Sequence, residues 1–148
     1  MSDQDPIVVG TDGSATAEVA VTRAAQLAGA LGAQLHVVSA YSSGSSEVWQ
    51  AAAAGAVLPD SAVDESAMHA QKIVKRSSAR LSREGIQVAT HTCEGDPAQV
   101  LITIAGEQHA QMIVVGNRGM AGARRVLGSV PNSISHHARC AVLIVPTT

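Results

Sequence analysis

Residues 112–129 read MIVVGNRGMAGARRVLGS. The apolar run MIVVG opens abruptly onto a loop with glycines at 116, 119 and 128, arginines at 118, 124 and 125, and a serine at 129. A short continuous run of this kind reads as a strand covered on both faces. Glycines at its end let bare main-chain amides approach an anion, with Gly116 and Gly119 removing side chains that would block the way. A helix starting at Gly128-Ser129 would turn its unpaired amides and positive dipole end toward the same point. The stretch therefore reads as a phosphate cradle at the carboxyl end of a buried strand. A plainer reading, a strand-to-helix loop whose glycines serve only its turns, uses the same residues.

The same alternation of strand and helix extends toward the amino terminus. Residues 7–11 and 141–145 share the continuous β-branched character, and 34–41 and 86–93 are mixed but strand-like. Helical spacing fills the intervals. Ala17, Ala20, Ala24, Leu27, Ala28 and Leu31 form one apolar stripe, with Ser14 as N-cap and Gly32 as stop. Val63, Ala67, Ala70, Val74, Ser77 and Leu81 form a second, ended by Gly85. Asp96-Pro97 opens a third helix that carries Leu101, Ile104 and Ala105 inward. Near Ser129 a fourth begins, with Val130, Ile134 and Ala138 on one face.

Strands that alternate with helices are parallel and joined by right-handed crossovers. The expected fold is a single Rossmann-like α/β domain over residues 1–148, a doubly wound, five-stranded parallel sheet of order 3-2-1-4-5 with four helices. Residues 42–61, SSGSSEVWQAAAAGAVLPDS, fit no element and read as a flexible insertion or mobile lid. Trp49 within it is either a cover for a ligand or a loosely anchored surface aromatic.

Composition bounds the rest. Of the 148 residues 46 % are hydrophobic, yet there is no Phe, one Tyr and one Trp, so the core must be built of Val, Ile, Leu and Ala. A net charge of −2 excludes a broad nucleic-acid surface, which needs a basic excess. Cys93 and Cys140 stand far apart in strand-like runs and read as small core residues in a reducing compartment. The apolar part of MSDQDPIVVG is too short for a signal peptide and no run reaches membrane-spanning length. A cytoplasmic protein without membrane or nucleic-acid partners is expected.

In an open parallel sheet, ligands bind past the carboxyl ends of the strands where the strand order reverses. With the first and fourth strands as neighbours, that crevice lies between Thr11-Asp12-Gly13-Ser14 and the glycine loop. Asp12 suits a base or a hydroxyl as acceptor, or else bonds its own turn. Arg118, Arg124 and Arg125 suit phosphate oxygens. No GxxxxGK[ST] occurs, the first strand leads into GTDGS without GxGxxG, and the second ends at Ala40-Tyr41 without an acidic residue for a dinucleotide ribose. Neither a Walker-type NTPase nor an NAD enzyme fits. The six histidines show no metal-ligand spacing and read as surface or interface residues; no GxSxG elbow is present. No catalytic residue and no metal ligand is assigned.

Taken together, IVVGTDGS, LHVVSAY, EGDPAQVL, IVVGNRG and the closing GSVPNSISHHARCAVLIVP resemble the universal stress protein family over nearly the whole length. The resemblance implies adenine and ribose contacts at Thr11, Asp12, Ala40, Val115 and Gly116, and phosphate contacts at Gly119, Gly128, Ser129 and Val130. Gly128 follows Gly119 after eight residues, one fewer than in the family's nucleotide-binding members. Gln111 stands where many members have Asp, at the end of the strand away from the ligand, so this change bears on stability. A homodimer through the last strand, residues 141–145, is also implied. The function expected is adenine-nucleotide binding (ATP, with Mg2+ accompanying it, AMP or cyclic AMP) in a stress-response protein that senses or buffers its ligand. Two other readings are a slow ATPase or adenylyl-transfer enzyme, although SGGxDS and HxGH are missing, and a ligand-free dimeric interaction protein.

Overall fold

The sheet is built around strand β1 (Gln4–Gly10), whose Ile7, Val8 and Val9 are wholly buried because neighbours cover both its faces. In a computed structural model that describes residues 4–42, 54–55, 60–117 and 127–147, the chain continues through α1 (Ala15–Leu31), β2 (Ala33–Tyr41), α2 (Asp60–Arg83) and β3 (Val88–Glu94). It then forms α3 (Pro97–Glu107), β4 (Met112–Gly116), α4 (Ser129–His137) and β5 (Ala141–Val145). All strand pairs are parallel, in the order β3-β2-β1-β4-β5. The expected doubly wound α/β fold is the observed one.

Side-chain alternation divides the core in two. Ile7, Val9, Leu35, Val37 and Val114 point toward α1 and α2, where Ala20, Ala24, Val74 and Leu81 meet them. Val8, Val38, Ile113 and Val115 point the other way, onto Leu101 and Ile104 of α3 and Ile134 of α4. The chain thus changes faces between β1 and β4, which opens a crevice at their carboxyl ends.

Local chemistry sets the helix ends. Ser14 Oγ accepts from the Ala17 amide at 3.2 Å, and Gly32 ends α1 at φ 67°, a left-handed conformation. Asp96 accepts from the Gln99 amide at 3.1 Å, with Pro97 in the first turn of α3. The Gln111 side chain donates to the Asp5 carbonyl and its amide to that of Pro6 at 2.9 Å, tying the start of β4 to β1.

Several expectations change. β1 stops at Gly10, so Thr11 belongs to the turn, and β3 begins at Val88. Leu31 is 43 % exposed while Val21 and Ala25 are buried; the buried arc of α1 centres between the Ala20-Ala24-Ala28 and Val21-Ala25 rows, with Leu31 at its margin. Helix α4 ends at His137, leaving Ala138 as its cap, and Cys140 precedes β5 instead of lying in it. Both cysteines are free and half-buried, and burial pushes the Cys140 thiol up. His36 is not a surface residue but is 4 % exposed, because β2 lies between two strands with both faces covered. Helix α2 starts at Asp60, within the insertion read at 42–61; most of that insertion, Trp49 included, lies outside the described residues. Among the described residues, no helix is long and apolar enough to cross a membrane.

Candidate functional site

At the end of β1 every residue of Thr11-Asp12-Gly13-Ser14 has a task in one turn. The Thr11 amide extends the ladder by one bond to Val38 O at 2.9 Å. Thr11 Oγ1 accepts from the Gly13 amide at 3.1 Å, and Asp12 Oδ1 from the Ser14 amide at 3.0 Å. Gly13 takes φ 82°, and a Cβ there would stand 2.9 Å from Cγ1 of Ile73 on α2. Asp12 is therefore a turn residue. A carboxylate can accept several hydrogen bonds, so a turn role and a ligand role are compatible.

Beyond this turn lies a cavity that opens to solvent at its mouth. Val38, Leu101 and Val115 give it an apolar floor, and Thr11, Asp12 and Thr16 a polar front. Gly10 sits tightly against that floor: a Cβ there would meet Leu101 Cδ1 at 2.8 Å. On the β2 side stand Ala40 and Pro97. Strand β2 outruns β1 here. The β1–β2 pairing ends at Gly10 and Val38, whereas β2 stays paired with β3 as far as Tyr41 and Glu94. Among the described residues, no strand thus lies beside the main-chain edge at Ala40 on the cavity side.

Gly116, Val130 and Thr147 form the β4 side. Asn117, the first residue after β4, is 6 % exposed. Its amide donates to Val145 O at 3.0 Å, and its Oδ1 accepts from both the amide (2.9 Å) and the hydroxyl (2.7 Å) of Thr147. A Cβ on Gly116 would stand 3.0 Å from Thr147 Cγ2. The room above Gly116, expected to be cleared for a ligand, is taken by the tail that follows β5.

Of the residues named from sequence, Thr11, Asp12, Ala40, Val115, Gly116 and Val130 meet in this cavity. Gly128 and Ser129 open α4 beside it without lining it, and Gly128 caps that helix with no side-chain bond. Arg118 and Gly119 lie outside the described residues, as do Arg124 and Arg125. The sequence reading did not find Thr16, Pro97, Asn117 and Thr147. Asn117 and Thr147 are 30 positions apart and joined only by the geometry of the sheet, so no periodicity marks them. Among the described residues, no cluster of three or more His, Cys, Asp or Glu could hold a metal ion.

Residues 4–146 match the model of the Universal stress protein family. The chain belongs to that family. Universal stress protein Rv1636 of Mycobacterium tuberculosis is 38 % identical to it over the full length of both chains; its crystal structure superposes with a TM-score of 0.57 at 37 % identity, covering 100 % of this chain and 99 % of that one. A universal stress protein solved in complex with cAMP is 30 % identical, with a TM-score of 0.70 over 97 % of this chain and 98 % of the other. The universal stress protein of Archaeoglobus fulgidus solved in complex with dAMP shares the fold, at 24 % identity and a TM-score of 0.72 over 97 % and 98 % of the two chains.

Proposed function

We propose that this universal stress protein binds an adenine nucleotide in the cavity between the ends of β1 and β4 and acts as a sensor or buffer of it. The observation that carries the reading is the main-chain edge of β2 at Ala40, which no strand among the described residues pairs, beside an apolar slot. A flat base fits between Val38, Leu101 and Val115, and the peptide groups at Ala40 offer a donor and an acceptor to its edge. Thr11, Asp12 and Gly116 then face the ribose. Gly128, Ser129 and Val130 are assigned to the phosphates, with the start of α4 contributing its amides; Arg118 and Gly119, outside the described residues, are assigned to them from the sequence alone. The cAMP complex of the 30 % identical relative supports an adenine ligand.

The reading extends to a homodimer through β5, one of the sheet's two outer strands, whose Val142, Leu143 and Ile144 are only half-buried. Pairing would cover an apolar edge that otherwise invites aggregation. A cytoplasmic setting accords with free Cys93 and Cys140.

Isothermal titration of the purified protein with AMP, cyclic AMP, and ATP with and without Mg2+ tests the ligand. Saturable binding of at least one, and none of the corresponding guanine nucleotide, is expected. Absence of heat with all of them at high protein concentration overturns the proposal.

A further inference from the structure

Asn117 makes three hydrogen bonds to one short segment, taking both the amide and the hydroxyl of Thr147 on its side-chain oxygen and giving its own amide to Val145. Such an arrangement needs an acceptor that reaches two donors at once. The amide of Asn supplies it, and Ala would not. With Thr147 Oγ1 held toward Asn117, the β-branched side chain has little rotational freedom left. Its methyl Cγ2 is the atom nearest to where a Cβ on Gly116 would stand, at 3.0 Å, and Thr147 itself is part of the cavity wall. Gly116 and Thr147 are thus complementary: the side chain missing from β4 is replaced by one brought in from the tail.

We infer that Thr147, oriented by Asn117, is a positioning residue of the ligand cavity, closing its β4 side so that the phosphate of the nucleotide settles in one place; this rests on the nucleotide reading above. The base end of the cavity, at Ala40 and Val38, lies across the floor from this wall. Disturbing the tail should therefore affect the phosphate of a ligand more than its nucleoside part. It also follows that the wall is not a property of the glycine loop alone. Residues that follow β5 complete it.

The test compares the affinities of AMP, cyclic AMP and adenosine for the wild type, Asn117→Ala, Thr147→Gly and Thr147→Val. Asn117→Ala and Thr147→Gly are expected to weaken AMP and cyclic AMP by about tenfold, the loss of one or two well-made hydrogen bonds or of the contact they hold. Adenosine should weaken by less than about threefold, on the same scale. Thr147→Val keeps the methyl and the amide bond and should recover most of the affinity. Should Asn117→Ala fail to fold, Thr147→Gly still decides, because residue 147 lies beyond the last strand. A purely structural role would shift the thermal unfolding of the free protein and leave the ratio of AMP to adenosine affinity untouched. Variants that bind as the wild type does, or that lose adenosine and AMP alike, overturn the inference alone. A wild type that binds no nucleotide overturns it together with the reading on which it stands.

Discussion

His36 Nδ1 lies 2.8 Å from His91 Nε2, joining the inner strand β2 to the edge strand β3. The ring centroids are 5.0 Å apart and the planes differ by 16°. That separation is close to the nitrogen–nitrogen distance plus the two ring radii, its geometric maximum, so the rings meet edge to edge, near one plane. Both face α3, since His91 is in register with Val38 and His36 is two residues from it on the same face. His36 Nε2 meets Gln34 Oε1 at 3.2 Å, so neutral His36 carries its proton there and accepts one from His91.

Only one proton fits between the two rings, so the pair resists double protonation. Burial lowers the His36 pKa and the neighbouring His91 lowers it further; burial also lowers that of His91, against an opposing pull from Glu107 on α3. The unfolded chain takes up these protons near the ordinary 6.5, the folded chain only at lower pH. Stability is present in full above that value and lost as pH falls through it toward the folded pKa values. Urea unfolding between pH 7.5 and 5 should show this decline. A double variant His36→Gln/His91→Gln should flatten it, and an equal decline in both proteins would exclude the pair as its source.

Asp12→Asn and Asp12→Ala should separate the turn from the ligand. An asparagine oxygen can still accept from the Ser14 amide, so Asp12→Asn should unfold close to the wild type, whereas Asp12→Ala should lose about 1 kcal/mol. Both should weaken nucleotide binding, by about tenfold for a lost charge-assisted bond. Calorimetric affinity set beside denaturation midpoints checks both, and undiminished affinity in Asp12→Ala would remove the side chain from the site.

Gly13→Ala should destabilise by about 2 kcal/mol, through strain at a left-handed position and contact with Ile73. Adding Ile73→Val should recover little of this if strain dominates. Full recovery in the double variant would assign the effect to contact instead.

Sedimentation equilibrium at micromolar concentration should give twice the mass of the chain. A monomer at all concentrations would mean that β5 is covered in some other way or left as an open edge.

Features set by neighbours in the chain were legible in advance. Ser14, Gly32 and Asp96-Pro97 act within a turn or two, through capping chemistry that the residue types announce. The parallel sheet followed from β-branched runs alternating with helical stripes. What depended on strands coming side by side was hidden: His36 and His91 are 55 positions apart, and their meeting is a matter of register. Gly116 shows a subtler loss. Its lack of a side chain was visible, but not that Thr147 would occupy the space.

Because β2 carries on past the end of β1, one wall of the cavity consists of peptide groups. Replacing Ala40 changes bulk there, yet short of proline no substitution removes the donor or alters the acceptor. Mutational drift at that position leaves the wall's hydrogen-bonding alphabet intact. New preferences must arise from Val38, Leu101 and Val115, which set how thick and how wide a flat guest can be.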